Sequence, residues 1–224
     1  SQEQAILDEE QHINDMLGAL LPARLIERFR GGERSIGDIF DTATVVSITI
    51  DDISSTLATD NELALEMADR LNEESLLLME RHGVERVQRS SGNQMYLAGL
   101  NQDDARVTDA AEFALAAIQL VAGVAAEYGH QLTARAGLSV GDVATGVLGT
   151  TQLSFGVWGE PTGKAMTLSA LALPGQVLAD GSVVEQLDRS WGIEALEELP
   201  GLADDIEAHV LNARVSAPAT NEPH

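Results

Sequence analysis

The chain has 224 residues, enough for one globular domain with a short extension at one end. Its 36 acidic against 13 basic residues leave a net charge of −23, a surface that repels phosphate backbones and anionic membranes and argues against nucleic acid as a partner. With 44% hydrophobic but only 4% aromatic residues, the core must be built from Leu, Val, Ile and Ala; the absence of cysteine excludes disulfides, thiolate metal sites and Cys nucleophiles.

The first thirty residues read as helix. Ile6, Ile13 and Leu20 recur every seven positions, with Met16 and Leu17 beside them. Two heptads are too few to establish a coiled coil; they fit an amphipathic helix packed on its own domain first, and a signalling stalk second. The run Ala23 to Phe29 continues the helix, and Gly31-Gly32 stops it. Thr44 to Ile50 is rich in β-branched residues and reads as a buried strand ending at Asp51-Asp52. Leu63, Met67, Leu71 and Leu78 then recur at helical spacing. Val84 to Val87 and Gln94 to Leu97, parted by Ser-Ser-Gly-Asn, predict a hairpin.

Phe113, Leu120, Val121 and Val124 mark a helix ending near Gly129. Leu132 to Val140 and Val143 to Leu148 flank Gly141-Asp142, which predicts a second hairpin. A strand over Phe155 to Trp158, a helix over Pro161 to Ala172, and strands over Gln176 to Ala179 and Ile206 to Leu211 complete the set. No run of 18 apolar residues occurs, so no insertion into a membrane is expected of this chain. Helices and hairpins alternate without a strict βαβ rhythm, which predicts an α+β fold on a mixed, mostly antiparallel sheet flanked by helices. The expected division is an N-terminal helix over 1–30, a domain over 31–215 and a disordered tail over 216–224.

Few residues declare a chemistry. Asp51 and Asp52 sit at a strand end, where a carboxylate either holds Mg²⁺ beside a phosphate or caps the next helix; only one of the two can face a given site. Ser90-Ser91-Gly92-Asn93 reads as a phosphate-facing loop or as a plain turn. The histidines, at 12, 82, 130, 209 and 224, have no metal-site spacing and read as surface residues. Neither a Walker loop nor a Gly-x-Ser-x-Gly elbow is present.

Three segments carry a resemblance. They are Leu20 to Phe29 with Phe40-Asp41 and the strand to Asp52-Ile53; Gly83-Val84-Glu85-Arg86-Val87 through Gly92 to Ala98-Gly99-Leu100; and Ala136 to Gly149 with Val157-Trp158-Gly159 and Pro174-Gly175. In this order they resemble the class III adenylate/guanylate cyclase catalytic domain. The resemblance implies a head-to-tail dimer, as a homodimer or with an active cyclase chain. Its active sites would lie across the interface and take ATP or GTP with Mg²⁺ or Mn²⁺. It is also compatible with a cytoplasmic domain of a larger membrane-bound receptor-type protein.

Carried over by position, the resemblance places Asp52 on the first metal aspartate and the Ile53 carbonyl beside it. Asn93 stands where the second metal aspartate belongs. Arg89 replaces the base-reading lysine or glutamate and Gly156 its polar partner. Gly163 replaces the ribose-orienting Asn, and Thr167 the Arg that stabilises developing charge. The turn after Asp52 reads Ser55-Thr56-Leu57 where the family has Gly-Phe-Thr. The expectation is therefore a regulatory pseudo-cyclase. The alternatives are a divergent active cyclase making cAMP or cGMP and a nucleotide sensor without turnover.

Overall fold

The computed structural model describes residues 23–33, 36–51, 56, 61–90, 92–100, 104–148, 154–203 and 205–214. Its elements in chain order are α1 (Ala23–Arg30), β1 (Gly37–Asp51), α2 (Asn61–His82), β2 (Val84–Ser90), β3 (Asn93–Ala98), α3 (Val107–Glu127), β4 (Thr133–Leu148), β5 (Ser154–Trp158), α4 (Glu160–Leu171), β6 (Val177–Asp180), the single turn α5 (Gly181–Val184), β7 (Gly192–Leu196) and β8 (Ala208–Asn212). The strands form one sheet in the order β2-β3-β1-β4-β6-β8-β7, with β5 paired to the far end of β4. Only β4 and β6 run parallel; every other pair is antiparallel, as the sequence predicts.

Strand side chains alternate faces, and β1 shows why the sheet needs cover on both. Val46, Ile48 and Ile50 face α2 and α3, where Met67, Leu71, Phe113, Ala117 and Val121 complete the main core. Phe113 meets Tyr96 edge-on at 4.8 Å between ring centroids. The odd positions of β1 face the other way. There Ala43 and Val45 join Val87, Met95, Leu97, Val143 and Ala165 of α4 in a second cluster. A third cluster, around Leu168, Ala172, Leu178 and Ala208, seats the end of α4 on β6 and β8.

By length and composition α3 is apolar enough to cross a membrane. Ala110, Ala111, Phe113, Ala114 and Ile118 are buried in the main core, so it is the central helix of this domain.

The second expected hairpin does not form. Gly141 and Asp142 stay extended inside β4, a single strand of 16 residues. Glycine is needed there for clearance rather than for a turn, because a Cβ on Gly141 would lie 2.8 Å from the Pro161 ring. Gly137, four residues earlier, lets α4 settle onto the sheet: a Cβ there would come within 2.2 Å of the Ala165 carbonyl and 2.4 Å of the Ser169 amide. The first hairpin forms with longer strands than expected, and Gly92 before β3 adopts φ 82°. An extra residue at Val87 interrupts the β2–β3 register. Strand β7 has no counterpart in the sequence reading, since its exposed Glu194 and Ala195 blur the alternation. Helix α1 ends at Gly31-Gly32 as expected; the rest of the N-terminal heptad pattern and the C-terminal tail lie outside the described residues.

Candidate active site

The C-terminal end of β1 and the β2–β3 turn are joined by the backbone. The Ile50 amide donates to the Gly92 carbonyl at 2.8 Å, and Asn93 stands opposite Thr49. This brings Asn93 beside the strand end that leads into Asp52. Asp52 and Ile53 themselves, with Ser55 and Leu57, lie outside the described residues.

Two neutral hydroxyls accept from the Asn93 amide. Its Nδ2 donates to Ser47 Oγ at 3.1 Å and to Thr49 Oγ1 at 3.2 Å. Ser47 and Thr49 in turn meet Ser169 Oγ of α4 at 2.9 and 3.3 Å, and Ser169 donates to the Met166 carbonyl. Ser47 and Ser169 are buried, so the amide belongs to a hydroxyl network spanning β3, β1 and α4.

Asp51, the carboxylate described at this strand end, is already paired. Arg135 Nη2 lies 3.0 Å from it, and the Thr133 hydroxyl donates to its other oxygen at 3.4 Å. Arg135 also donates from Nη1 to the Ala170 and Ala172 carbonyls, which ties the end of α4 to the strand and satisfies orphan helix carbonyls. Divalent ions of the Mg²⁺ type need anionic oxygens. Around Asn93 the described residues offer an amide, hydroxyls and a carboxylate bound to a guanidinium, a set that does not fit two such ions.

The positions expected to read a base are brought into proximity by packing. Val87 of β2 shares a cluster with Phe155 and Val157 of β5, which flank Gly156; Arg89 follows two residues on, in register with Gln94. Gly156 pairs with Gly146 across β4 and β5, and the Trp158 indole lies over both. A Cβ on Gly156 would meet the ring at 2.4 Å, so any side chain there requires Trp158 to move.

Gly163 and Thr167 sit one turn apart on the outward side of α4, beside the half-exposed Met166. A Cβ on Gly163 would meet nothing within 4 Å. Lys164 is directed elsewhere. It pairs with Glu160 at 2.7 Å, and this hydrogen bond, against some burial, holds its pKa above the ordinary lysine value. Lys164 lines an open cleft of about 510 Å³ together with Ser139, Asp142 and Pro161.

Contrary to expectation, three of the histidines are not simple surface residues. His82, His130 and His209 are half-buried. His82 also comes together with Asp109 and Glu112, their ligand-type atoms all within 4.8 Å of one another. Arg106 holds Asp109 at 2.8 Å, and Arg214 lies 3.5 Å from Glu112, so both carboxylates already have cationic partners. Sequence reasoning missed the Ser47–Thr49–Ser169 network. The signal was two hydroxyls at alternate positions of an otherwise apolar strand. It missed Arg135 and Trp158 as well, whose contacts are set by strand pairing and not by sequence spacing.

This fold is that of a class III nucleotidyl cyclase domain. The chain belongs to the adenylate and guanylate cyclase catalytic domain family, whose model matches residues 37–212. An adenylate cyclase of Mycobacterium tuberculosis is 29% identical over 191 residues, covering 82% of this chain and 42% of the relative, so the chain spans less than half of that protein. The guanylate cyclase domain of RhGC from Catenaria anguillulae, solved in complex with GTP, superposes with TM-score 0.70 at 19% identity over 80% of this chain and 100% of that one. A bacterial light-regulated adenylyl cyclase superposes with TM-score 0.75 at 17% identity, covering 94% of this chain and 64% of that one.

Proposed function

We propose that this cyclase domain is a pseudo-cyclase, which keeps the family fold and pairing surface without competent turnover. The observation that carries the reading is the amide at position 93 and its hydroxyl partners. The amide donates to Ser47 and Thr49 where the family would hold a metal-binding carboxylate. Asp52 and the Ile53 carbonyl are left as a single residual metal position. Arg89 and Gly156 then stand at altered base-reading positions, and Gly163 and Thr167 lack the side chains that would orient ribose and stabilise charge. Loss of one such electrostatic group costs on the order of 10²- to 10³-fold in rate, and several are absent together.

The role left to such a domain is regulatory, as a homodimer or as partner to an active cyclase chain. Ile39 on β1 (79% exposed), Trp158 on β5 and Met166 on α4 are large apolar residues open to solvent and support a pairing surface there. Residues 1–30 would couple this pair to an upstream sensor in a longer, membrane-bound signalling protein. The second reading, a divergent cyclase making cAMP from ATP, draws on retention of Asp52 and on the adenylate cyclase name of the mycobacterial relative.

Incubation of the purified protein with Mn²⁺ and ATP or GTP, read by mass spectrometry for cyclic nucleotide, separates the two. No product is expected. Product that disappears in Asp52→Ala would replace the pseudo-cyclase with the divergent enzyme. Thermal stabilisation by nucleotide without product would instead indicate a sensor.

A further inference from the structure

Beneath β1 and β3, on the face opposite Asn93, the sheet and the two covering helices leave a cavity of about 50 Å³. Its floor is apolar and buried: Ile50, Leu71, Ala117 and Val121. Ile48, Ala68 and the buried Tyr96 add to the lining, together with half-buried Asn72, Ser75, Gln94 and Arg86, of which Arg86 is the charged one. Both terminal nitrogens of Arg86 donate to Asn72 Oδ1 at 3.2 Å. In a chain with 36 acidic residues, this arginine has an amide for its partner and no carboxylate among the described residues.

A half-buried guanidinium is a fork of donors suited to a carboxylate, and an amide oxygen satisfies it without neutralising it. The apolar floor excludes a fully hydrated inorganic anion, since closing over one would strip its water without replacement hydrogen bonds. A purely apolar guest would leave the guanidinium uncompensated. The volume admits roughly four water-sized groups, which matches a chain of three carbons.

We propose that this cavity binds a short-chain aliphatic monocarboxylate, its carboxylate on Arg86 and its tail against Ile50, Leu71, Ala117 and Val121. The cavity shares β1 and β3 with the candidate site: Ile50 immediately precedes Asp51, and Gln94, which accepts from the Tyr96 hydroxyl, adjoins Asn93. A guest seated here packs against the strands that carry Asn93 and lead into Asp52. The proposal does not depend on whether the domain turns over nucleotide.

The test is thermal unfolding of the whole chain in sodium butyrate, 1-butanol and butylammonium chloride at matched ionic strength, with ligand-observed NMR as the direct binding readout. Six non-hydrogen atoms support an affinity in roughly the millimolar range. Butyrate well above that range should raise Tm by about 2–4 °C and show saturation transfer, while butanol and butylammonium do not. Arg86→Gln removes the charge at the edge of the core, and Ala117→Leu fills the floor; each should abolish the butyrate effect. Equal shifts with all three compounds, or a butyrate shift that survives both variants, would overturn the proposal. So would no butyrate signal with the wild-type chain, a comparison that needs no variant to fold.

Discussion

Lys164 is the only lysine in the chain, which makes its ionisation a single-resonance experiment. The hydrogen bond that Lys164 donates to Glu160, outweighing partial burial, raises its pKa above the ordinary value. A raised folded-state pKa means that the contribution of this pair to stability is fully present below the ordinary lysine pKa. It is lost as pH rises through the raised value. The Cε resonance of Lys164 is expected to titrate above the usual lysine range, and Glu160→Gln should bring its midpoint down; an unmoved midpoint would remove Glu160 as the cause. Two glycines give a second residue-level contrast. Gly137→Ala places a methyl against the backbone of α4 at Ala165 and Ser169, which neither atom can relieve by rotation. It should cost about 3 kcal/mol or more in denaturant unfolding. Gly163→Ala meets open space within the same helix and should stabilise by about 0.5–1 kcal/mol.

At the level of elements, α4 is held to the sheet by two polar clasps, and each supports a different inference. Ser169 on Ser47 and Thr49 fixes its last turn, while Arg135 on the Ala170 and Ala172 carbonyls fixes its end and at the same time occupies Asp51. Arg135→Met should release Asp51 and loosen the end of α4. Faster amide exchange is then expected at residues 168–172, with global stability lowered by about 1–2 kcal/mol. Much of this architecture is legible in the sequence. The β-branched run at Thr44 to Ile50 and the helical spacing from Leu63 to Leu78 depend on local periodicity and appear in the structure as β1 and α2. Gly141-Asp142 misleads because the glycine serves a neighbour distant in sequence, Pro161, and local composition cannot distinguish clearance from a turn. Position Asn93 was legible as a departure from the family, but its hydroxyl partners were not, because Ser47 and Thr49 lie 46 and 44 residues earlier in the chain. The bulge at Val87 was likewise invisible, since it exists only as a mismatch between two strands.

For the whole molecule, the central question is whether the altered positions are sufficient to silence the domain, and the structure makes reversal a graded test. Asn93→Asp replaces a donor with an acceptor among Ser47 and Thr49, whose hydroxyls can rotate to donate to it, so this change should fold. Gly163→Asn enters open space, and Thr167 is half-exposed on the same outward side of α4, which gives an arginine there a path to solvent. Gly156 is different: a polar side chain there displaces Trp158 from its seat on Gly146 and Gly156, with an expected loss of stability of about 1–3 kcal/mol. The triple variant Asn93→Asp, Gly163→Asn, Thr167→Arg should therefore be stable and should bind Mn²⁺ with nucleotide more tightly than the parent, read by calorimetry. If the missing side chains are what silences the domain, the triple variant should form cyclic nucleotide at least 10²-fold above the parent, the scale set by a single restored charge stabiliser. A variant that binds metal and nucleotide yet yields no product would place the defect in the pairing of two protomers. Sedimentation of parent and variant, with and without nucleotide, then decides whether the exposed Ile39, Trp158 and Met166 face a second copy or wait for a different chain.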